Sequence, residues 1–173
     1  MRHKSYGSPL EWVAEHTLIT AAALALTRQT LNLNLDDDEV AQIWAIDSNI
    51  ELSIPTDPAA DQNNAGRLAL IMDPSYPTDP ASINAATFED LETFFTHDHI
   101  IYNEFVTAVG IQTLKIDNNK VVYFDPVPIL VATNIAMMVQ SDPSTDVQYR
   151  LRLYFTRKKA GKDDLTRILL KRR

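Results

Sequence analysis

Apolar residues alternate with polar ones over most of this chain, and that period of two predicts strands. Thr30–Leu35 (TLNLNL) places Leu31, Leu33 and Leu35 on one face and Thr30, Asn32 and Asn34 on the other. Asp36-Asp37-Asp38 breaks the run as a turn. Val40–Ile54 then alternates again, with Trp44, Ile46, Ile50, Leu52 and Ile54 on one parity and Asp47, Asn49, Glu51 and Ser53 on the other. A helix would stack Asp47 beside Glu51 and scatter the isoleucines, so a long strand with one buried and one wet face is expected. On this parity Trp44 belongs to the buried face.

Further along, Pro55–Gly66 reads as a polar loop and Leu68–Met72 as a short apolar strand. Asp73–Ser82 holds three prolines and forms an extended or turning connection. Thr87–Phe95 predicts the one short helix: Thr87 caps it, Asp90 follows as a capping-box acid, and Phe88, Leu91, Phe94 and Phe95 make an apolar stripe. Strand signals resume at Ile100–Val106. Ile111–Ile116 and Val121–Phe124 flank Asp117-Asn118-Asn119-Lys120, whose centre suits a two-residue hairpin turn. Ile129–Val139 is nearly continuously apolar, as expected of a strand buried on both sides in places, and Val147–Phe155 alternates once more. About eight strands with turns at short intervals indicate an all-β, antiparallel sandwich or barrel. Residues 9–27 fit a helix and an extended arm equally well. No internal repeat is visible.

The totals narrow this picture. At 173 residues and 45% apolar content, one domain with a sizeable core is expected. The absence of cysteine excludes disulfides, thiolate zinc sites and thiol chemistry. Arg2, His3 and Lys4 precede the apolar run Leu18–Leu26, but Glu11, Glu15 and His16 intervene, unlike a secretory leader. No stretch reaches the roughly 20 apolar residues that span a bilayer. A soluble, uncleaved protein is expected.

Charge is distributed unevenly. Tyr149–Arg173 carries ten basic residues and two acids, a net of +8, while residues 1–148 carry six basic residues and 21 acids, a net of −15. Opposite charge on separate regions steers association rather than catalysis. Arg150 and Arg152 alternate with Leu151, Leu153 and Phe155 and belong to the wet face of a strand. From Arg157 that pattern stops. Arg157, Lys158, Lys159, Lys162, Arg167, Lys171, Arg172 and Arg173 then form a basic arm suited to a negative surface: membrane, nucleic acid or an acidic neighbouring subunit. Beyond Tyr154 and Phe155 no aromatics interleave it, which disfavours a single-strand binder.

The most site-like cluster is His97-Asp98-His99. His-x-His on a strand would present both rings on one face as metal ligands. Placed just after the expected helix, the same residues would instead cap its last carbonyls. Asp36-Asp37-Asp38-Glu39 with Asp57, Asp61 and Asn63 could offer calcium its oxygens, but they lack the spacing and glycine of a calcium loop and read as solvated turns. No nucleophile elbow or phosphate loop is present, so no catalytic residue and no cofactor are assigned.

Residues 30–54, and the pair of strands with the basic end over 129–159, resemble the single jelly-roll capsid proteins of tailless icosahedral viruses. The chain resembles in particular the small ones of internal-membrane archaeal and bacterial viruses. The resemblance covers most of 30–159 and implies a jelly roll at 29–156 followed by a basic C-terminal arm at 157–173; it does not reach residues 1–28, which are read from their own pattern as an N-terminal arm or helix. It also implies a non-enzymatic virion protein that self-assembles with copies of itself and with other capsid proteins, and takes no small-molecule substrate. Two alternatives remain. One is a carbohydrate- or ligand-binding sandwich that uses Trp12 or Tyr76 as its platform. The other is a metal-dependent cupin-like enzyme built on His97 and His99.

Overall fold

The computed structural model describes residues 10–19, 27–52, 62–72, 93–106, 110–115, 118–141, 146–164 and 166. Ten strands run through them in this order: β1 (Glu11–Ile19), β2 (Thr27–Leu31), β3 (Glu39–Leu52), β4 (Gln62–Ile71), β5 (Thr93–Val106), β6 (Gly110–Lys115), β7 (Asn119–Tyr123), β8 (Ile129–Val131), β9 (Ile135–Ser141) and β10 (Val147–Lys159). The front sheet has the order β1-β10-β3-β7, with β8 also pairing with β3. The back sheet has the order β2-β9-β4-β5-β6, and every pairing in both sheets is antiparallel. The chain passes from sheet to sheet between β1, β2, β3 and β4, and again from β6 to β7 and from β8 through β9 to β10. That winding is a jelly roll.

The alternation read from the sequence decides which side of each strand faces inward. In β10, Val147, Tyr149, Leu151, Leu153 and Phe155 are buried, and they face Leu68, Leu70, Met137 and Val139 of the back sheet in one core cluster. Burying each large aliphatic side chain contributes about 1.5–3 kcal/mol, so this layer holds the sandwich together. The sheets approach closely at Gly66. A Cβ there would lie 2.6 Å from Ile50 Cγ2 and 2.9 Å from Val147 Cγ1, so no side chain fits without displacing core atoms.

Trp44 is where parity misleads. The β3–β10 register shifts at Tyr154/Phe155, with Ala45 opposite Tyr154 and Ile43 opposite Phe155, so Trp44 is an extra residue in β3. This bulge switches the inward positions from Ala41 and Ile43 to Ile46, Ser48, Ile50 and Leu52. Trp44 leaves the core and donates its indole N–H to Thr156 Oγ1 at 3.0 Å.

Four further expectations change. The helix expected near 87–95 ends in strand, because Thr93, Phe94 and Phe95 open β5; the rest of that span lies outside the described residues. Phe95 packs into the core instead of forming a helical stripe. Within 1–28, Glu11–Ile19 forms β1, paired along its whole length with β10, and Thr27 and Arg28 open β2. β6 and β7 are not a hairpin: β6 pairs with β5 in the back sheet, while β7 crosses to β3 in the front one. Asn119 is held there by Asn49, whose Nδ2 donates to Asn119 Oδ1 at 2.6 Å. Finally, β10 does not stop at Phe155 but continues to Lys159, opposite Glu39.

Candidate functional site

His97 and His99 lie in the middle of β5, opposite Leu68 and Gly66, and not at a helix end. Strand periodicity does put both rings on one face, and that face is the sandwich interior, where they are 3% and 1% exposed. Ser48, inward-facing on β3, lies 2.7 Å from His97 Nδ1 through its hydroxyl, a polar link between the two sheets. Among the described residues no third His, Asp or Glu joins them in a metal-sized group. Asp98, between them, points to the opposite face, beside Arg67. Loss of hydration raises its carboxyl above the ordinary range, against the pull of Arg67 and then Lys120.

A second polar link crosses the sandwich nearby. Tyr149 of β10 donates its hydroxyl to the Gln140 carbonyl of β9 and accepts from the Arg67 N–H of β4 at 3.2 Å. Burial lifts its phenol above the ordinary value. These groups tie the two sheets together by hydrogen bonds in an otherwise apolar layer.

The first part of the basic end is folded and paired within the chain. Arg157 bonds to Glu11 of β1 at 2.6 Å and to the Asn34 carbonyl at 2.7 Å. Lys158 pairs with Asp164 at 2.6 Å, and Lys159 with Asp38 at 3.1 Å. The Asp36–Asp38 turn, considered above for calcium, receives the end of β10: Ala160 N–H donates to the Asp38 carbonyl at 2.8 Å. Lys162 is exposed at the start of a short helical turn. Arg167, Lys171, Arg172 and Arg173 lie outside the described residues.

The outward face of the front sheet brings together residues that sequence order keeps apart. Register places Trp12, Tyr154, Ala45 and Tyr123 in one row across β1, β10, β3 and β7. The next row is Ala14, Arg152, Asp47 and Val121, and the third is His16, Arg150, Asn49 and Asn119. Tyr123 is 74% exposed and Trp12 61%. Arg152 lies 5.4 Å from the centre of the Trp12 ring and donates to Tyr154 Oη at 3.4 Å. Two hollows cut this face. An apolar one of about 430 Å³ lies between Tyr154 and Tyr123 over Ala45, and a polar one of about 440 Å³ lies over Ala14 between Arg152 and Arg150. Asp47 lines both.

Sequence reading marked Asp47, Asn49, Arg150 and Arg152 only as wet strand positions. Their convergence depends on β1, β10, β3 and β7 lying side by side in one register, a long-range fact that no local pattern carries. Trp12 stood out in the sequence as one of two aromatics that a binding sandwich would have to use, but its exposure and its neighbours on this face were not legible.

No family model matches the chain, and no curated protein does. Among solved structures it is similar to the one titled "Crystal structure of 60-mer BFDV Capsid Protein". The identity is 11%, the match covers 88% of this chain and 95% of that one, and the TM-score is 0.35.

Proposed function

We propose that the chain is a structural virion protein, a capsid subunit that self-assembles through its sandwich and its terminal segments. The observation that carries this reading is the sealed jelly roll. Its buried polar side chains, Ser48, His97 and Tyr149, link the two sheets, which suits a rigid building block. The reactive-looking histidines stand inside the core, where a substrate has no access. β1, β2 and β6 end their sheets, and strand edges are natural points of contact between subunits.

In this reading the partners are other copies of the chain and other capsid proteins, and its place is the virion. The docking arm begins after Lys159, because Arg157, Lys158 and Lys159 are engaged in β10 and its ion pairs. In this reading the positive charge of Lys162, Arg167, Lys171, Arg172 and Arg173 serves to meet an acidic neighbour; the exposed Asp36 and Asp37 are one such target.

Removing residues 165–173 takes away four basic side chains and leaves β10 and its pairing with Asp164 in place. Sedimentation velocity of both forms across a salt series tests the proposal. The full chain is expected to form large species that dissolve as salt screens the contacts, and the shortened chain to need higher concentration to assemble. Equal assembly of the two forms would discard the arm. A full chain that stays monomeric throughout would discard the capsid reading.

A further inference from the structure

We propose that the outward face of the front sheet is a binding site for a neutral oligosaccharide. This inference goes beyond the assembly reading and does not depend on it.

The two adjoining hollows have the two characters of a sugar. A pyranose ring presents a patch of C–H groups on its face and a rim of hydroxyls at its edge. The hollow between Tyr154 and Tyr123 is walled by aromatic rings with Ala45 at its base, which suits stacking against C–H groups. The adjoining hollow offers hydroxyls both kinds of partner, with Arg150 and Arg152 as donors and Asp47 as an acceptor. Asp47 borders both hollows, so a ring stacked in one directs its hydroxyls to the carboxylate shared with the other. Ala14 and Ala45 supply the depth, because a larger side chain at either register position would fill its hollow.

Charge selects the ligand class. Arg150 is paired with Glu51 at 3.0 Å and Asp47 lies opposite Arg152, so the two guanidinium groups of this face are matched by two carboxylates. Nucleic acid and sulfated chains are bound by a positive excess, which this face does not have. A second copy of the chain lying flat on it would cover the Arg150–Glu51 pair, now 54% and 41% exposed, and pay its desolvation. A short neutral glycan needs only the hollows. The side chains stand on four hydrogen-bonded strands, so the site is held in shape before binding.

The test applies the full-length protein to an array of immobilised neutral glycans alongside sialylated and sulfated ones. Calorimetric titration of the strongest neutral ligand into Tyr123→Ala and Asp47→Asn follows. Neutral glycans are expected to give the signal. Tyr123→Ala is expected to weaken binding by about tenfold or more, and Asp47→Asn by about fivefold, the range for losing one stacking or one charge-assisted contact. Thermal transitions of both variants should match the parent, since Tyr123 projects into solvent. The proposal falls if only sulfated or sialylated glycans bind, if nothing binds, or if both variants bind as tightly as the parent. It falls equally if Tyr123→Ala changes the assembly state and leaves glycan affinity untouched, because the face is then a subunit contact.

Discussion

The two sheets have the same inward pattern and opposite outward faces. On the front sheet the outward residues are polar or openly exposed, with Trp12, Tyr123 and Val121 in solvent. On the back sheet the outward Ala69, Ile71, Ala136 and Met138 are all fully buried and form a cluster of their own. One sheet therefore presents an open surface, while the centre of the other is enclosed on both sides. Strand alternation survives where one face is wet, as in β3 and β10. It disappears in β9, whose run Ile135–Val139 is buried at every position.

The sharpest way to break this comparison is the same substitution on each outward face. Ala136→Asp places a carboxylate in the enclosed cluster and is expected to cost about 4 kcal/mol or more, enough to unfold a marginal domain. Ala14→Asp, on the exposed face, should stay within about 0.5 kcal/mol. Urea melts of the two proteins measure the difference, and equal costs would mean that the faces are not distinct.

Gly66→Ala probes the layer between the sheets. Its new Cβ meets Ile50 and Val147 below contact distance, so an overpacking cost of about 1–3 kcal/mol is expected in the same melts. An unchanged midpoint would show that the sheets separate freely at that point.

Tyr149→Phe keeps the packing and removes the hydroxyl that joins β10 to β4 and β9. A loss of about 1 kcal/mol is expected. A neutral result would assign the joining of the sheets to packing alone.

Asp98 gives the smallest effect and a definite sign. Its folded carboxyl titrates above the unfolded value of 3.8, so the native state binds more protons between the two values. Stability should therefore fall as pH rises through the window just above 3.8. In Asp98→Asn that part of the slope should be absent when midpoints are followed across mildly acidic pH; a slope identical to the parent's would remove Asp98 as its source.

Much of the fold was legible because burial on one face imposes period two on the sequence. Leu31 and Leu33, the isoleucines of β3 and the alternating residues of β10 announced the sandwich directly. Trp44 misled because a bulge in β3 shifts parity by one residue, and a bulge is set by pairing with β10 rather than by local composition. Phe94 and Phe95 resembled a helical stripe because two adjacent aromatics satisfy either period; docking onto β4 decided for strand. Lys158 and Lys159 looked like the start of a tail because lysines carry no alternation, yet β10 continues through them while β3 supplies partners. For the candidate site, the individual residues were visible and their proximity was not. Trp12 and Tyr123 are separated by most of the chain and share a row only through two intervening strands.

The central claim, that this sandwich is a shell-forming subunit, is tested most directly by the native mass of the full-length protein. Mass photometry at low and at high salt measures it in one series. Closed particles many times the 19.5 kDa chain at low salt, breaking down as salt rises, are the expected result. A single monomer peak at every salt concentration would contradict the claim.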